Sequence, residues 1–299
     1  MKFHKSRFSN KRRLLQTTGF SLIELAVGIA IIGLLVGSLA VPLRSQVESR
    51  KLADTKKTLD NAREALLGYA AAYGYFPCPA NDSSNGAEAA GSSHGSLGAT
   101  PPATYTPGSC PASVTGTNSV YAGYLPAVTL GFTPIDASGY AVDAWGGTGT
   151  QNRIRYAVSG QTVGLATRAF VSIPYPVVGG MKGAGMLAIL NFNPSLLSVC
   201  STAAGSDSTL CRQLPPPPTT ITSNAIVVIW SLGPNAATTG SPAQASADEA
   251  ENIEAFTSAD RVFVMRDPST KIGSEFDDIV TWISNPVLFG KMLAAGQLP

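Results

Sequence analysis

The chain has 299 residues, of which 44 % are hydrophobic and 13 % charged, with 30 Gly and 21 Pro. This balance excludes an intrinsically disordered chain, and the length allows one or two domains. The formal net charge of +2 misleads, because the first 19 residues hold six Lys or Arg and no acid, which leaves 15 basic against 19 acidic residues in the remainder. A nucleic-acid-binding protein normally shows the opposite balance.

An apolar stretch at residues 22–43 follows this basic leader, and Glu24 is its only charged residue. A helix of that length measures roughly 33 Å, which matches a hydrocarbon core of about 30 Å. Because a basic block beside a membrane span stays in the cytoplasm, we expect the rest of the chain to be exported. A carboxylate near mid-bilayer costs about 2.5 to 3.5 kcal/mol, so Glu24 needs a positively charged partner.

Three other interpretations of this stretch stay open. The general signal peptidase could cut after Ala40, where Ser38, Leu39 and Ala40 form a small-x-small site, although that signal would carry Glu24 ahead of its core. A plain membrane anchor would not explain the presence of the charged Glu24 in the apolar stretch. A buried core helix would not account for a basic leader that lacks acids.

The motif at the start of the apolar stretch resembles a known processing signal. Gly19 and Phe20 are followed by Ser-Leu-Ile-Glu-Leu (21–25) and by Ala-Ile-Ile-Gly-Leu-Leu (30–35), as in the class III signal of type IV pilins and type II secretion pseudopilins. The resemblance implies cleavage after Gly19, methylation of the new amino terminus on Phe20, and pairing of Glu24 with the terminal ammonium of a neighbouring subunit. Glu24 would then be an assembly residue.

The same resemblance implies an α+β fold, in which a long N-terminal helix packs on the antiparallel sheet of a head domain with loop insertions. It divides the chain into a cytoplasmic leader (1–19), the long helix (20–75, with 20–43 as the transmembrane segment and fibre core) and a periplasmic or extracellular head (76–299). The precursor would be a single-pass protein of the inner membrane, with its N-terminus in the cytoplasm, before it enters a fibre.

The partners implied are other pilin or pseudopilin subunits, the prepilin peptidase and methyltransferase, and an inner-membrane assembly platform. Nucleic acid is not expected. A head of about 220 residues is larger than that of a typical major pilin. The sequence therefore favours a minor pilin or pseudopilin, and it leaves open whether the machine is a type IV pilus, a type II secretion pseudopilus or a DNA-uptake system.

Residues beyond the apolar stretch predict that the helix continues. Leu52, Leu59, Leu66 and Tyr73 recur every seven residues, which places them on one face. We expect a single helix over residues 21–72, whose second half packs against the head, and Gly and Pro within 74–79 should end it.

Four Cys lie in the part expected to be exported, where disulfides persist. We favour pairing of sequence neighbours, because each pair encloses a stretch with few apolar residues of its own; the other two connectivities remain possible. A zinc site is the weaker alternative, since the sequence has no Cys-x-x-Cys and only two His. The predicted pairs are Cys78 with Cys110 and Cys200 with Cys211.

Apolar segments bounded by Gly, Pro, Asn or Asp predict the strands of the sheet. Asn285 and Pro286 predict the start of a C-terminal amphipathic helix. The predicted strands lie at residues 153–158, 169–173, 185–193, 225–232, 261–266 and 275–283.

The turn formed by residues 143–146, Asp-Ala-Trp-Gly, precedes a strand that contains Tyr156 and is similar to the entry into the sheet of pseudopilins. Asp143 and Arg155 also admit an active-site interpretation. The alternative is a structural Asp turn and a solvated Arg.

Acidic residues near the C-terminus suggest a metal site. The segment from Ser231 to Asn235, together with Asp248, Asp277 and Asp278, resembles the calcium-binding loop of the type II secretion major pseudopilin, and calcium takes six to eight oxygen ligands. Asn235 departs from that pattern, because the family has Asp there. The two Asp residues beside a strand also fit a turn with salt bridges.

Catalysis has little support in the sequence, and no enzyme activity is expected. His94, the only His of the exported part, lies in a Gly-Ser loop on which a catalytic triad would have to be built. Two other classes of function remain open: a membrane-anchored adhesin or carbohydrate-binding module, and an exported hydrolase.

Overall fold

The computed structural model consists of two compact units, Met1–Ser49 and Arg50–Pro299. It describes residues 21–89, 110, 120–146, 149–159, 170–171, 181, 196–212, 219–236, 245–257 and 260–298, with backbone alone for 36–44 and 257.

The first element, α1 (Leu22–Tyr73), is a helix of 52 residues. Within the second unit its residues recur at helical spacing and contribute one face to the main core. The helix ends at Gly74, whose φ of +80° suits glycine and whose N–H donates to the carbonyl of Ala70 at 2.8 Å. The core residues of α1 are Leu59, Ala62, Leu66, Leu67 and Ala70.

Within the described residues, eight strands and three further helices follow α1. Six strands form one sheet in the order β1-β2-β4-β3-β5, with β8 also paired to β4, and β6 and β7 form a separate hairpin. The strands are β1 (Val120–Tyr124), β2 (Arg155–Ser159), β3 (Leu197–Cys200), β4 (Thr220–Ser231), β5 (Val262–Val264), β6 (Ser269–Lys271), β7 (Ser274–Phe276) and β8 (Ile279–Ser284), and the helices are α2 (Ala127–Leu130), α3 (Ala247–Thr257) and α4 (Asn285–Ala294).

Strand β4 organises the sheet, because it pairs with β2, β3 and β8. Side chains of successive residues point to opposite faces of a strand. Val227 and Ile229 accordingly join α1 and α4 in one hydrophobic core, whereas Val228 and Trp230 join α3 residues in a second. The sheet is therefore covered by helices on both faces.

The predicted fold class is wrong about the sheet, which we expected to be antiparallel. Most strand pairs are antiparallel, but β3 and β5 pair in parallel, with Val199 opposite Phe263. The chain between them runs through β4 and α3, which supplies the long crossover connection that parallel neighbours need. The sheet is mixed.

The predicted single-pass membrane anchor is also wrong on this structure. Over the residues that are described, no helix meets the length and apolarity that crossing a membrane requires. Of the predicted span 20–43, side chains are described only from 21 to 35.

Several predicted strands are found with shifted ends. The segments 153–158 and 225–232 contain most of β2 and most of β4, and the segment 261–266 contains β5. The segment 275–283 divides between β7 and β8. Segment 185–193 lies outside the described residues, as does 169–173 except for a turn at 170–171. The C-terminal helix is confirmed as α4, with Pro286 in its first turn.

Both predicted disulfides are present, Cys78–Cys110 and Cys200–Cys211. All four Cys are buried, and none is free. The thiols are thus unavailable as zinc ligands. Closing a loop of 11 or 32 residues stabilises the fold by about 3 kcal/mol in the loop-entropy account.

Candidate functional site

Ser21 and Glu24 form a capping box at the start of α1. The hydroxyl of Ser21 accepts from the N–H of Ile23 at 3.4 Å, and Glu24 Oε2 accepts from the N–H of Ser21 at 2.9 Å. These bonds satisfy N–H groups that have no partner within a helix. We did not anticipate the capping box from the sequence, although the Ser-x-x-Glu spacing is its usual signature. Glu24 therefore has a role inside its own chain.

The first turns of α1 expose a continuous apolar surface. Nine large side chains between residues 22 and 35 are 52 to 87 % exposed. At 100° per residue they surround the helix on every side, so they form no single stripe. They are Leu22, Ile23, Leu25, Val27, Ile29, Ile31, Ile32, Leu34 and Leu35.

Gly19 and Phe20, the predicted processing site, lie outside the described residues. Cleavage and methylation there stay predictions. Glu24 is described and exposed, four residues after Phe20.

Three carboxylates meet at one end of the sheet. Glu249 lies in the first turn of α3, and Asp277 and Asp278 connect β7 to β8. One oxygen from each lies within 4.8 Å of the others. The side chains of Glu249 and Asp278 are only 1 % and 5 % exposed, and that of Asp277 is half-buried. We call these three residues the acidic cluster.

Amide side chains hold two members of the acidic cluster in place. Asn235 Nδ2 donates to Glu249 Oε1 at 2.9 Å, and Asn252 Nδ2 donates to Asp278 Oδ2 at 2.7 Å. Asp277 Oδ1 is buried and has no hydrogen-bond partner among the residues that the structure describes. A buried acceptor without a partner is costly, so this atom is suited to a ligand.

Gly233 lets the turn after β4 approach the acidic cluster. Its φ is +68°, and a Cβ at this position would lie 2.4 Å from the carbonyl oxygen of Asp277 and 2.8 Å from Oδ1. Its N–H donates to the hydroxyl of Ser231, the last residue of β4. Only glycine combines this backbone conformation with so close an approach.

Burial and mutual repulsion raise the pKa values in the acidic cluster. Burial is the main cause for Asp277, and the charge of Glu249 adds to it, so that the pKa rises to about 7 despite a backbone hydrogen bond from Asn235. Burial also raises the pKa of Asp278 well above its ordinary value, while the hydrogen bond from Asn252 and the charge of Arg155 act in the opposite direction. Protons or another cation should therefore stabilise the cluster.

The structure brings together only two of the three predicted calcium ligands. Asp248 lies elsewhere: its Oδ2 pairs with Arg266 Nε at 2.7 Å, and its Oδ1 accepts from the hydroxyl of Thr202 and the N–H of Ala203 at 2.8 Å. Its neighbour Glu249 takes its place beside Asp277 and Asp278. On a helix, adjacent residues point about 100° apart, so the sequence alone could not decide which of the two acids faces the cluster.

The acidic cluster fits an oxygen-preferring divalent cation. Three carboxylates offer up to six oxygens, and calcium takes six to eight at 2.3 to 2.6 Å, with water or carbonyls completing the set. The orphaned Oδ1 of Asp277 supports this fit. A bound Ca²⁺ would offset the repulsion among the three charges.

Asp143 holds a turn in place, and Arg155 packs against an aromatic ring. The carboxylate of Asp143 accepts from the Ser231 hydroxyl at 2.7 Å and from the N–H groups of Trp145 and Gly146, which holds the turn against β4. Arg155 is buried, not solvated as the alternative had it, with its guanidinium 4.5 Å from the ring centre of Phe256. Burial lowers the pKa of Arg155 to about 10. His94 lies outside the described residues.

No family model, curated protein or solved structure matches this chain. The assignment of function therefore rests on the chain's own residues and their geometry.

Proposed function

We propose that this chain is a minor pilin-like subunit, cut after Gly19, methylated on Phe20, and assembled into a fibre of the type IV pilus or type II secretion kind. The observation that carries the proposal is the exposed apolar surface of α1 at residues 22–35. It coincides with the apolar part of the class III-like motif, and Glu24 is its only charge.

The distribution of this apolar surface favours several neighbours over one. An amphipathic helix buries one stripe against a single partner, but here apolar side chains point in all directions. Full burial of a Leu or Ile side chain is worth about 1.5 to 3 kcal/mol. The corresponding helices of other copies, packed around a common axis, would enclose all nine side chains at once.

Glu24 supplies the polar contact that fixes register in such a bundle. Cleavage after Gly19 leaves an ammonium group on Phe20, and methylation does not remove its charge. Inside an apolar bundle both charges are desolvated, and pairing between neighbouring copies offsets part of that cost. In the isolated chain Glu24 Oε2 accepts instead from its own Ser21 N–H, so assembly would exchange or share this hydrogen bond.

N-terminal mass spectrometry of the mature protein tests this proposal. We expect the chain to begin at Phe20 and to carry a methyl group on its amino nitrogen. A mature chain that begins at Val41 would instead identify cleavage by the general signal peptidase and contradict the proposal. An intact chain beginning at Met1 in cells that process other prepilins would also contradict it.

A further inference from the structure

The guanidinium of Arg155, the first residue of β2, is buried between the sheet and α3. The residue is 6 % exposed, and its Nε and Nη1 have no hydrogen-bond partner among the residues that the structure describes. The guanidinium carbon lies 4.5 Å from the ring centre of Phe256 in α3. The face of an aromatic ring attracts a cation but leaves its N–H groups without an oxygen acceptor.

Two other arginines show how a guanidinium is satisfied in this fold. Arg153, two residues before Arg155, places Nε 2.9 Å from Asp136 Oδ2. Arg63 of α1 donates from Nε to the carbonyl of Trp282 at 3.1 Å. Arg155 is more deeply buried than either and lacks both kinds of partner over the described ranges.

The acids of the chain do not supply the missing counter-charge. All 19 Asp and Glu lie in the described part of the chain, and none of them forms an ion pair with Arg155 there. Asp278 is the acid whose charge acts on Arg155, but its Oδ2 accepts from Asn252 instead. Because buried charges in proteins are normally paired, this guanidinium lacks a counter-ion that the chain itself does not provide.

A second buried donor lies opposite Arg155 in the sheet. Arg155 pairs with Trp230 of β4 in antiparallel register. Side chains directly opposite in such a pair share a face, with Cβ atoms about 4.5 to 5.5 Å apart. The indole Nε1 of Trp230 is fully buried and, like Arg155, has no partner among the described residues. The pair therefore offers N–H donors and one positive charge to an acceptor.

The space beside Arg155 limits the size of that acceptor. Phe256, which lies against the guanidinium, and Tyr124, which lies opposite Arg155 on β1, both line a cavity of about 80 Å³. A water molecule takes about 30 Å³ in the liquid, so the cavity admits a small ion and excludes a large organic anion. Asp82 also lines it but is exposed, and water weakens the effect of its charge.

We propose that Arg155 and Trp230 bind a small inorganic anion of the size of chloride. The anion accepts from Nε and Nη1 of Arg155 and from Nε1 of Trp230, and its charge offsets that of the buried guanidinium. The site is separate from the fibre surface at residues 22–35, and so it does not depend on the assembly role proposed above.

NMR of the side-chain N–H groups tests the site directly. The full chain is labelled at its Arg and Trp nitrogens and kept in a nonionic detergent, because of its exposed apolar surface, with EDTA to exclude metals. Chloride then replaces gluconate, an anion too large for the cavity, at constant ionic strength. We expect the Arg155 Nε–H and Trp230 Nε1–H signals to shift saturably. The indole signal of Trp145, in the turn that Asp143 holds, should stay in place.

Two variants and a matched control assign the charge. Arg155→Met keeps an unbranched side chain against Phe256, removes the guanidinium, and should abolish the response of Trp230 to chloride. Trp230→Phe leaves the guanidinium in place and should raise the chloride Kd measured at Arg155 about five-fold, or about 1 kcal/mol.

Arg153→Met is the control, because Arg153 is already paired with Asp136. It should lose some stability and keep the response of both signals to chloride. An Arg155 or Trp230 signal that does not move in the parent, or a Trp230 response that persists in Arg155→Met, would overturn the proposal.

Discussion

The side-chain amide of Asn252 forms two hydrogen bonds with the backbone of Val264, as the backbone of a neighbouring strand would. Its Oδ1 accepts from the N–H of Val264 at 2.8 Å, and its Nδ2 donates to the Val264 carbonyl at 3.0 Å. The same Nδ2 donates to Asp278 Oδ2 at 2.7 Å. One fully buried side chain of α3 thus joins the end of β5 to the acidic cluster.

Removing this amide should destabilise the fold strongly. In Asn252→Ala, both backbone groups of Val264 and the carboxylate of Asp278 lose a partner while they stay buried. Each such loss costs about 1 to 3 kcal/mol, and we expect the free energy of unfolding to fall by about 3 kcal/mol. Urea denaturation followed by circular dichroism measures it. Asn61→Ala, at an exposed position on α1, should stay within about 0.5 kcal/mol of the parent.

The charge of Glu24 can be separated from its capping role. Gln at the third helical position also completes a capping box, so Glu24→Gln keeps the bond to the Ser21 N–H and removes the charge. We expect it to lose at least about ten-fold in fibre yield, because the neighbour's ammonium is left unpaired in an apolar bundle. Electron microscopy and quantification of sheared fibres measure the yield.

Asp54→Asn is the matched control, as it removes an exposed charge from the same helix. It should assemble as the parent does. Normal fibres from Glu24→Gln would show that Glu24 serves helix capping alone.

The raised pKa of Asp277 predicts how stability changes with pH. The folded chain keeps this proton up to about pH 7, whereas the unfolded chain releases it near the ordinary value of 3.8. Between these values unfolding releases a proton, so the free energy of unfolding falls as pH rises from about 4 to about 7 and levels off above that. Asp278, whose pKa is also raised, acts in the same direction.

Urea titrations in EDTA at several pH values should show this decline, and Asp277→Asn should make it shallower. Asp54→Asn should keep the slope of the parent. A parent protein whose stability rises steadily over this interval would contradict the assignment, as would an unchanged slope in Asp277→Asn.

Calcium should counteract the loss of stability near neutral pH. At about pH 7.5 Asp277, whose pKa is about 7, is mostly ionised, and a ligand that binds the folded state at 100 times its Kd stabilises it by about 2.7 kcal/mol. We expect millimolar Ca²⁺ to raise the melting temperature relative to EDTA. Glu249→Gln should abolish this rise.

Asp248→Asn is the informative comparison, because it removes the adjacent acid, which pairs with Arg266 and lies outside the acidic cluster. This variant should lose some stability and keep its response to Ca²⁺. A response that depends on Asp248 and not on Glu249 would contradict the geometry, and equal melting temperatures in Ca²⁺ and EDTA would remove calcium as the ligand.

Local sequence patterns predicted those parts of the fold that neighbouring residues in the chain determine. Leu59 and Leu66, two members of the seven-residue repeat, are buried in the core as that spacing requires. Asn285 and Pro286 begin α4 because Pro suits the first turn of a helix. The disulfides follow from loops that lack apolar residues of their own.

Local sequence patterns could not predict which segments distant in sequence lie side by side. Strand β3 has only four residues, Leu-Ser-Val-Cys, and it becomes a strand because β4 and β5 flank it. Its parallel pairing with β5 depends on the path of the intervening chain. The acidic cluster joins Glu249 to two acids that lie 28 and 29 positions further along the chain, and the choice of Glu249 over Asp248 depends on how α3 rotates against the sheet.

The central position of β4 has a consequence for the newborn polypeptide. Its partner β8 follows the other five strands of the sheet along the chain, and it aligns Ile279 with Ser231 and Ser284 with Ala225. Until residue 284 has been synthesised, that side of β4 presents unsatisfied peptide groups, which invite pairing with a foreign chain. Prematurely terminated products that stop before β8 should therefore be recovered as aggregates or be removed by proteases, even though α1 and both disulfides precede the break.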